Sequence, residues 1–593
     1  MTSHSPSLPS KAERNPAAFS FRAALVSTDH KVIGILYGVT ALTFLLTGFL
    51  IMMLMRWQLA YPGRALPGAS ALFGSNSARM PGGVMVPEFY YQLGAMHGTI
   101  MVFLAIVPLL VGAFGTYLVP LQLGAPNTAF PRLTRLGYWS YLAGGVVWLS
   151  SFALPGGAAQ SGWTSYPPLS IIAGHGQTFW LIGMILIIVS SIAGAINMIV
   201  TIIQLRVIGL TYMRLPFFVW SQLVTAFLLL LAFPPLGAAG ILQLMDRVVD
   251  TSFFLPSGLV VSGAALTANV GGQTIPRGGG SALLWQHLFW FLAHPEVYVL
   301  VLPAMGMVAE ILANNARKPL WGYKSMVYGT IFLGVMSMLV WAHHMFLTGM
   351  GTVITAFFQA TTMIVSIPSI IVLTALLASL WGGAIRFNTP MLFALAFLPM
   401  FGIGGLTGLP LGLAVTDIHL HDTYYVIDHF HYIVVCGTLS AIFGGIYYWF
   451  PKVTGRAMNE RLGRIHFWSS LVLLNCIFMP MFIQGMAGVS RRLYDGGLSY
   501  AHAQPVLKLN VFITHAAFAL ALAQIPFIVN LLWSLRRGPR VEANPWQATT
   551  LEWAAASPPL AQGNFETPPV AHRGPCEYSV PGKDKDYTPQ WEQ

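Results

Sequence analysis

The chain has 593 residues, of which 55% are hydrophobic and only 8% charged. A soluble domain carries about 25% charged residues, so this composition excludes a chain that covers itself with polar surface in water. The net charge of +11 raises the question of a nucleic-acid partner, which the placement of the charges answers below.

In chain order, apolar runs fall near 33–55, 94–119, 137–155, 177–205, 217–245, 283–312, 322–347, 354–381, 389–413, 428–451, 465–488 and 510–535. A spanning helix needs roughly 20 mainly apolar residues, and backbone groups in lipid must be satisfied internally. The expected fold is all-α, an integral membrane bundle of twelve transmembrane helices. Residues 1–32 read as an N-terminal segment, 33–535 as the bundle and 536–593 as a tail. No signal peptide is evident, because the first 25 residues are polar and irregular and no small-residue cleavage site follows the first span. The Gly-rich stretch 246–282 reads as an external loop with an insertion, and the tail, rich in Pro and polar residues, as extramembrane and partly extended.

Lys and Arg set the orientation. Twelve spans put both termini on one side, and that side collects 22 Lys and Arg against 8 on the other, which accounts for all 30. Both termini are therefore expected in the cytoplasm, and the expected location is the inner membrane of a bacterial cell. The positive charge follows from this rule and needs no nucleic acid. The three cysteines, Cys436, Cys476 and Cys576, form no CxxC pair, so a thiolate metal cluster is not expected.

Mapped onto these spans, six histidines fall in the outer half of the membrane: His97, His294, His343, His344, His429 and His431. An isolated intramembrane His is as readily a hydrogen-bonded core residue as a functional one, but six at one level point to function. Imidazole suits heme iron and copper. A bis-His heme takes one ligand from each of two helices, as His97 with His431 or His429 would supply. Residues two apart on a helix point about 200° apart, so His429 and His431 serve two different hemes. His294 with His343 and His344 offers three nitrogens for a copper with an open position.

The motifs WQHLFWFLAHPEVY (285–298), WAHHMF (341–346), HLHDTYYVIDHFHY (419–432), AMHGTIM (95–101), STDHKVIG (27–34), GWTSYPPLS (162–170) and AGVSRRLYD (487–495) together resemble subunit I of the heme-copper terminal oxidases, the A-type cytochrome c oxidases. The resemblance spans about 30–500 and implies the following roles. His97 and His431 hold the low-spin heme a, His429 the oxygen-reducing heme a3, and His294, His343 and His344 the neighbouring copper B. Tyr298 is joined covalently to His294 and supplies an electron and a proton, and Glu296 is the proton branch point. Arg491, Arg492 and Trp163 serve the heme propionates, and Arg56, placed after the first span, the heme formyl group. His421 and Asp422 match a Mg2+ site completed by subunit II, although Asp422 alone reads equally as a solvated loop acid. The implied partners are subunits II, with its binuclear copper, and III, a cytochrome c or small copper protein as electron donor, O2 and membrane lipid.

The sequence departs from this family at its proton inlets. Asn127 stands where an Asp is expected, Thr116 and Thr134 where two Asn are expected, Val372 where a Lys is expected and Ala309 where a Ser is expected. Glu310 follows, as a replacement inlet or as an interfacial acid in water. A new acid, Asp428, precedes His429. Three rival readings are a quinol oxidase, disfavoured by Phe89 and Tyr91 at expected quinol positions, a nitric oxide reductase, disfavoured by Tyr298, and a twelve-helix transporter without heme.

Overall fold

The computed structural model describes residues 21–593 apart from 75, 76, 271 and 562. Most of the predicted N-terminal segment thus lies outside the described residues. A helix stands at each predicted span: α1 His30–Ala60, α2 Pro87–Leu123, α3 Pro131–Ser150, α4 His175–Gln204, α5 Phe217–Val248, α6 Ala282–Ala316, α7 Tyr323–Thr348, α8 Gly351–Leu380, α9 Thr389–Leu411, α10 Tyr424–Thr454, α11 Glu460–Met486 and α12 Lys508–Arg537. Among the described residues, eleven of these are long and apolar enough to cross a membrane. The exception is α3, a 20-residue helix opened by Pro131 and carrying Arg132 and Arg135 in its first turns.

Burial sorts the helices into a centre and a rim. The most apolar stretch of α6 is 89% buried within the protein and those of α10 and α2 are 78% and 72% buried, against 22% for α1 and 33% for α8. The rim helices turn Leu46 and Leu50 of α1 and Phe357, Ile367 and Ile370 of α8 outward, as lipid contact requires. The central helices carry most of the singled-out histidines.

Three of the helices change pitch beside those histidines. α2 widens to π-helical winding over Ile100–Ile106, three residues after His97. α10 does the same over Tyr432–Leu439, directly after His431. α7 tightens into 3₁₀ turns over Trp341–Thr348, around His343 and His344. Such departures from 3.6 residues per turn re-aim side chains and concentrate at functional sites.

The stretch between α5 and α6 holds two antiparallel hairpins, β1 Val260–Val261 with β2 Ala264–Ala265, and β3 Thr267–Val270 with β4 Gln273–Pro276, the latter in the register Ala268↔Ile275. Arg277 ties their base down through Asp250 at 3.0 Å and the Thr251 carbonyl at 2.7 Å.

The tail has little regular structure, in line with its Pro-rich sequence, yet it is not a free segment. It lies across one end of the bundle. Asn564 meets His30 and Lys31 of α1 at 3.1 and 2.8 Å. Asp586 takes a two-pronged ion pair, both bonds 2.8 Å, from Arg317. Lys452 of α10 is wholly buried, and its ammonium donates to the tail carbonyls of Ala543 (3.1 Å), Ala555 (2.6 Å) and Ala556 (3.3 Å). A buried ammonium is tolerated only when its donors are occupied in this way. Two ends can thus be told apart, a histidine end and a tail end.

Candidate metal centre

His294, His343 and His344 come together at the histidine end, with one ring nitrogen of each within 4.8 Å of the others. His344 Nε2 lies 3.1 Å from His343 Nε2 and 3.3 Å from His294 Nδ1. Neighbours on a helix ordinarily diverge by roughly 100°. Two contacts turn this pair to one point instead. Thr362 of α8 gives its hydroxyl proton to the Phe358 carbonyl at 2.5 Å, so its oxygen accepts from His343 Nδ1 at 3.0 Å and leaves Nε2 facing inward. His344 is stacked on Trp290, centroids 3.7 Å apart and planes 11° apart. Three nitrogens whose lone pairs converge, with room for at most one proton between any two, are the donor set of a borderline-soft cation such as copper.

Tyr298 sits one turn from His294, with ring centroids 4.9 Å apart. The remaining nitrogen, His294 Nε2, is buried and has no protein partner.

The other three histidines share one device. His97 Nδ1 donates to the Gly48 carbonyl of α1 at 2.8 Å, His429 Nδ1 to the Gly404 carbonyl of α9 at 2.9 Å, and His431 Nδ1 to the Ile427 carbonyl at 2.7 Å. Each bond fixes the tautomer with the proton on Nδ1, so that Nε2 offers its lone pair, which is how heme-ligating imidazoles are held. The residues present therefore fit two hemes and one copper. The backbone carbonyls that do the holding leave no mark in a sequence, and Thr362 and Trp290 escaped notice because each reads as an ordinary helix residue.

The loop after α11 supplies the charges. Arg491 Nε donates to Asp422 at 2.6 Å, and the backbone repeats the tie, Arg491 N to Asp422 O, at 2.8 Å. Burial alone would raise the Asp422 carboxyl, but Arg491, His421 and Arg492 outweigh it and hold it below the usual range. Arg492 is pulled down to about 10, first by burial and then by Arg491 beside it. Two guanidinium groups thus share one carboxylate, which leaves positive charge for anionic groups. Trp163 packs edge-on against Phe289 and Trp290 in the same region, at 5.4 and 6.0 Å. His421 is held by Asp417 at 3.1 Å, so His421 and Asp422 each have another partner. Among the described residues, only the His294 group assembles three metal-ligand atoms.

Arg56 corrects one expectation. It lies inside α1 rather than in the loop after it and is 2% exposed. It donates to Thr514 Oγ1 at 3.2 Å and to the Asn510 carbonyl at 3.0 Å, while Nη1 is buried without a protein partner.

Glu296 is 2% exposed with both oxygens unpartnered. It borders a cavity of ≈ 60 Å³ lined also by Thr116, Thr128, Thr134, Ser190 and Asn197, large and polar enough for a few waters. Thr134 bonds Thr128 at 2.8 Å and Asn197 at 2.6 Å. Asn127 is closed off by the Thr28 carbonyl at 3.1 Å and the Thr128 amide at 2.8 Å. Val372 and Ala309 are both fully buried and apolar, so no titrating chain stands there. Glu310 is not an interfacial acid in water. It is 5% exposed, beneath the tail. Asp428 is fully buried with both oxygens unpartnered.

The model of the family described as cytochrome c and quinol oxidase polypeptide I matches residues 32–521. The chain is 42% identical over 555 residues to the cytochrome c oxidase subunit 1 of Synechocystis sp., covering 93% of this chain and 92% of that one. It is 40% identical to the alternative cytochrome c oxidase subunit 1 of Bradyrhizobium diazoefficiens, with coverage of 95% and 92%. In fold it is similar to a solved heme-copper terminal oxidase dimer, with a TM-score of 0.69, 20% identity and 86% and 85% of the two chains covered. The histidine constellation and these likenesses agree: the chain belongs to the cytochrome c and quinol oxidase polypeptide I family and is the catalytic subunit, subunit I, of a heme-copper oxidase.

Proposed function

We propose that this subunit reduces O2 to water with electrons from a cytochrome c or small copper protein, delivered through subunit II, and that it couples the reaction to proton translocation across a bacterial inner membrane. The observation that carries this reading is the convergence of His294, His343 and His344, with Tyr298 one turn from His294. In this reading the twelve helices all span, both termini and the tail lie in the cytoplasm, and the histidine end faces outward.

His97 and His431 would hold heme a, His429 heme a3, and the His294 group copper B. The hemes and copper supply the redox chemistry of breaking the O–O bond. The chain's own work is to aim and to keep dry. Thr362 and the carbonyls of Gly48, Gly404 and Ile427 hold each imidazole in one tautomer. Tyr298, bonded through its ring to His294 Nε2, keeps a phenol hydroxyl at the centre as a source of one proton and one electron. Glu296 holds a proton at the head of the water cavity. Arg491, Arg492 and Trp163 would meet the propionates, and Arg56 Nη1 the formyl group. His421 and Asp422 would join a Mg2+ site with subunit II.

Purified complex should give a reduced-minus-oxidised spectrum of two hemes, with copper by metal analysis and oxygen uptake driven by reduced cytochrome c or a small copper protein. Oxygen uptake driven by quinol alone would assign the quinol-oxidising reading, and a colourless protein would leave only the transporter.

A further inference from the structure

The tail end holds a second set of buried acids. Glu310 lies 14 residues beyond Glu296 on α6, about 21 Å along the axis, and its carboxyl accepts from the Phe218 amide at 3.4 Å. Glu552 comes from the tail and is 1% exposed. Its Oε1 accepts from Gln122 at 3.1 Å and Trp449 at 3.4 Å, and its Oε2 is buried with no protein partner. The two acids meet through Phe218, whose amide reaches Glu310 and whose ring lies 6.0 Å from that of Trp449, the indole that reaches Glu552. Both act on Cys576, whose thiol is pushed well up by burial first and by Glu310 and Glu552 next. Lys452 is near Glu552, but its donors are occupied by the three tail carbonyls.

A polar seam leads away from this pair along the contact of α5 with α6 and α2. Ser221, Gln222 and Thr225 are all fully buried. Ser221 Oγ fills the space over Gly306, where any Cβ would collide with it. Gln222 Oε1 and Thr225 Oγ1 have no hydrogen-bonding protein partner, a condition that internal water ordinarily relieves. Gln222 Oε1 also lies against Gly115, where an added Cβ would stand 3.0 Å from it. The next residue, Thr116, lines the cavity beneath Glu296, and so does Leu229, one turn beyond Thr225.

We propose that Glu310 and Glu552 form a proton-collecting site, and that water held along Ser221, Gln222 and Thr225 carries protons from it to the cavity beneath the oxygen-reducing centre. The proposal rests on the oxygen-reducing function. One carboxylate takes a proton from tail-side water, becomes a neutral acid and hands the proton to the next water in the seam. No electrons move in this step, and the carboxylate is regenerated. This route uses neither Asn127 nor Val372.

The test uses the whole complex in vesicles, with Glu310→Gln, Glu552→Gln and Thr225→Val compared with Thr134→Val. Proton uptake from the tail side after an oxygen pulse is followed with a pH dye, protonated carboxyls by deuterium-sensitive infrared difference bands, and the centre by heme spectrum and copper content. Glu310→Gln and Thr225→Val should each slow uptake about tenfold with heme and copper unchanged, and Glu310→Gln should delete a protonated-carboxyl band. Thr225→Val removes only a hydroxyl and carries the test if Glu552→Gln does not assemble. Full-rate uptake in both Glu310→Gln and Thr225→Val would overturn the proposal, and slowing by Thr134→Val alone would place the inlet at the Thr128–Thr134–Asn197 cluster. Absence of heme and copper from the unaltered complex would instead refute the oxygen-reducing function itself.

Discussion

The two ends of the bundle obey different rules. At the histidine end five of the six rings are held by a contact with a neighbouring group, His97, His429 and His431 by a carbonyl, His343 by Thr362 and His344 by Trp290. At the tail end, polar groups from distant parts of the chain satisfy one another through whatever atom is at hand: carbonyls for Lys452, an amide and an indole for Glu552, two carboxylate oxygens for Arg317. A metal needs a specific donor at a specific distance, and few side chains qualify. A proton passed along water can use a hydroxyl, an amide or a carboxyl, so the residues along its way are exchangeable. In the proposed function this contrast would account for a chain that keeps the six histidines while Asn127, Val372 and Thr134 stand at the expected proton inlets.

If the contrast holds, the histidine end should break first and hardest. His343→Ala or His344→Ala takes one of three donors from the centre and should bring oxygen uptake to background while the low-spin heme band stays. Normal turnover in either variant would sink the assignment. Tyr298 sharpens the same end: peptide mass spectrometry of active enzyme should find residues 294 and 298 joined, and an unmodified peptide counts against the bond.

Changes at the tail end should act on stability before chemistry. Lys452→Met takes the donor from three tail carbonyls, of which that of Ala555 is buried, and should cost about 1–3 kcal/mol, read as a lower melting temperature of the purified complex with the heme spectrum kept. An unchanged melting temperature would show that the tail does not depend on this residue. The smallest effect belongs to Asp586. Hydrogen bonds from Arg317 are the main cause that holds its carboxyl below the ordinary 3.8. A depressed folded-state value means stabilisation present above 3.8 and lost as pH falls through the lower value. Asp586→Asn should therefore lower the melting temperature slightly at pH 7, and the gap to the unaltered protein should narrow as pH falls below 3.8. A gap that does not narrow with acid would mean that the side chain acts through something other than its charge.

Much of the histidine end was legible in the sequence. A His in an apolar run is a costly exception, and six of them at one depth form a pattern. The spans were legible for the same reason, because lipid demands long apolar helices. Even the one expected span that falls short of the others, α3, is helical, and its arginines explain why it is less apolar. The tail end was not legible. Asn564, Thr549 and Gln590 have the composition of a solvated segment, yet each is buried. Glu310 read as a replacement inlet or as an interfacial acid because nothing near it in sequence covers it; the tail that does, with Glu552, comes 242 positions later. Gln222 and Thr225 are unremarkable in an apolar helix until their partnerless atoms are seen. Periodicity reports which face of a helix is buried, but it does not report what buries it.

The tail follows all twelve helices in the chain, and this bears on the order of assembly. A ribosome makes the chain from the N-terminus onward, and early segments fold first. The four helices that carry the six histidines are complete by Thr454, whereas Glu552, Asn564 and Asp586 are still unmade. The centre is therefore open to cofactor loading from a bundle whose opposite face is not yet sealed. Until the last residues dock, Lys452 and Arg317 lack the partners that the tail supplies. In the proposed function, closure of that face would turn a heme-loaded bundle into a coupled one, and a nascent chain stalled before residue 541 should hold heme while its tail face stays open.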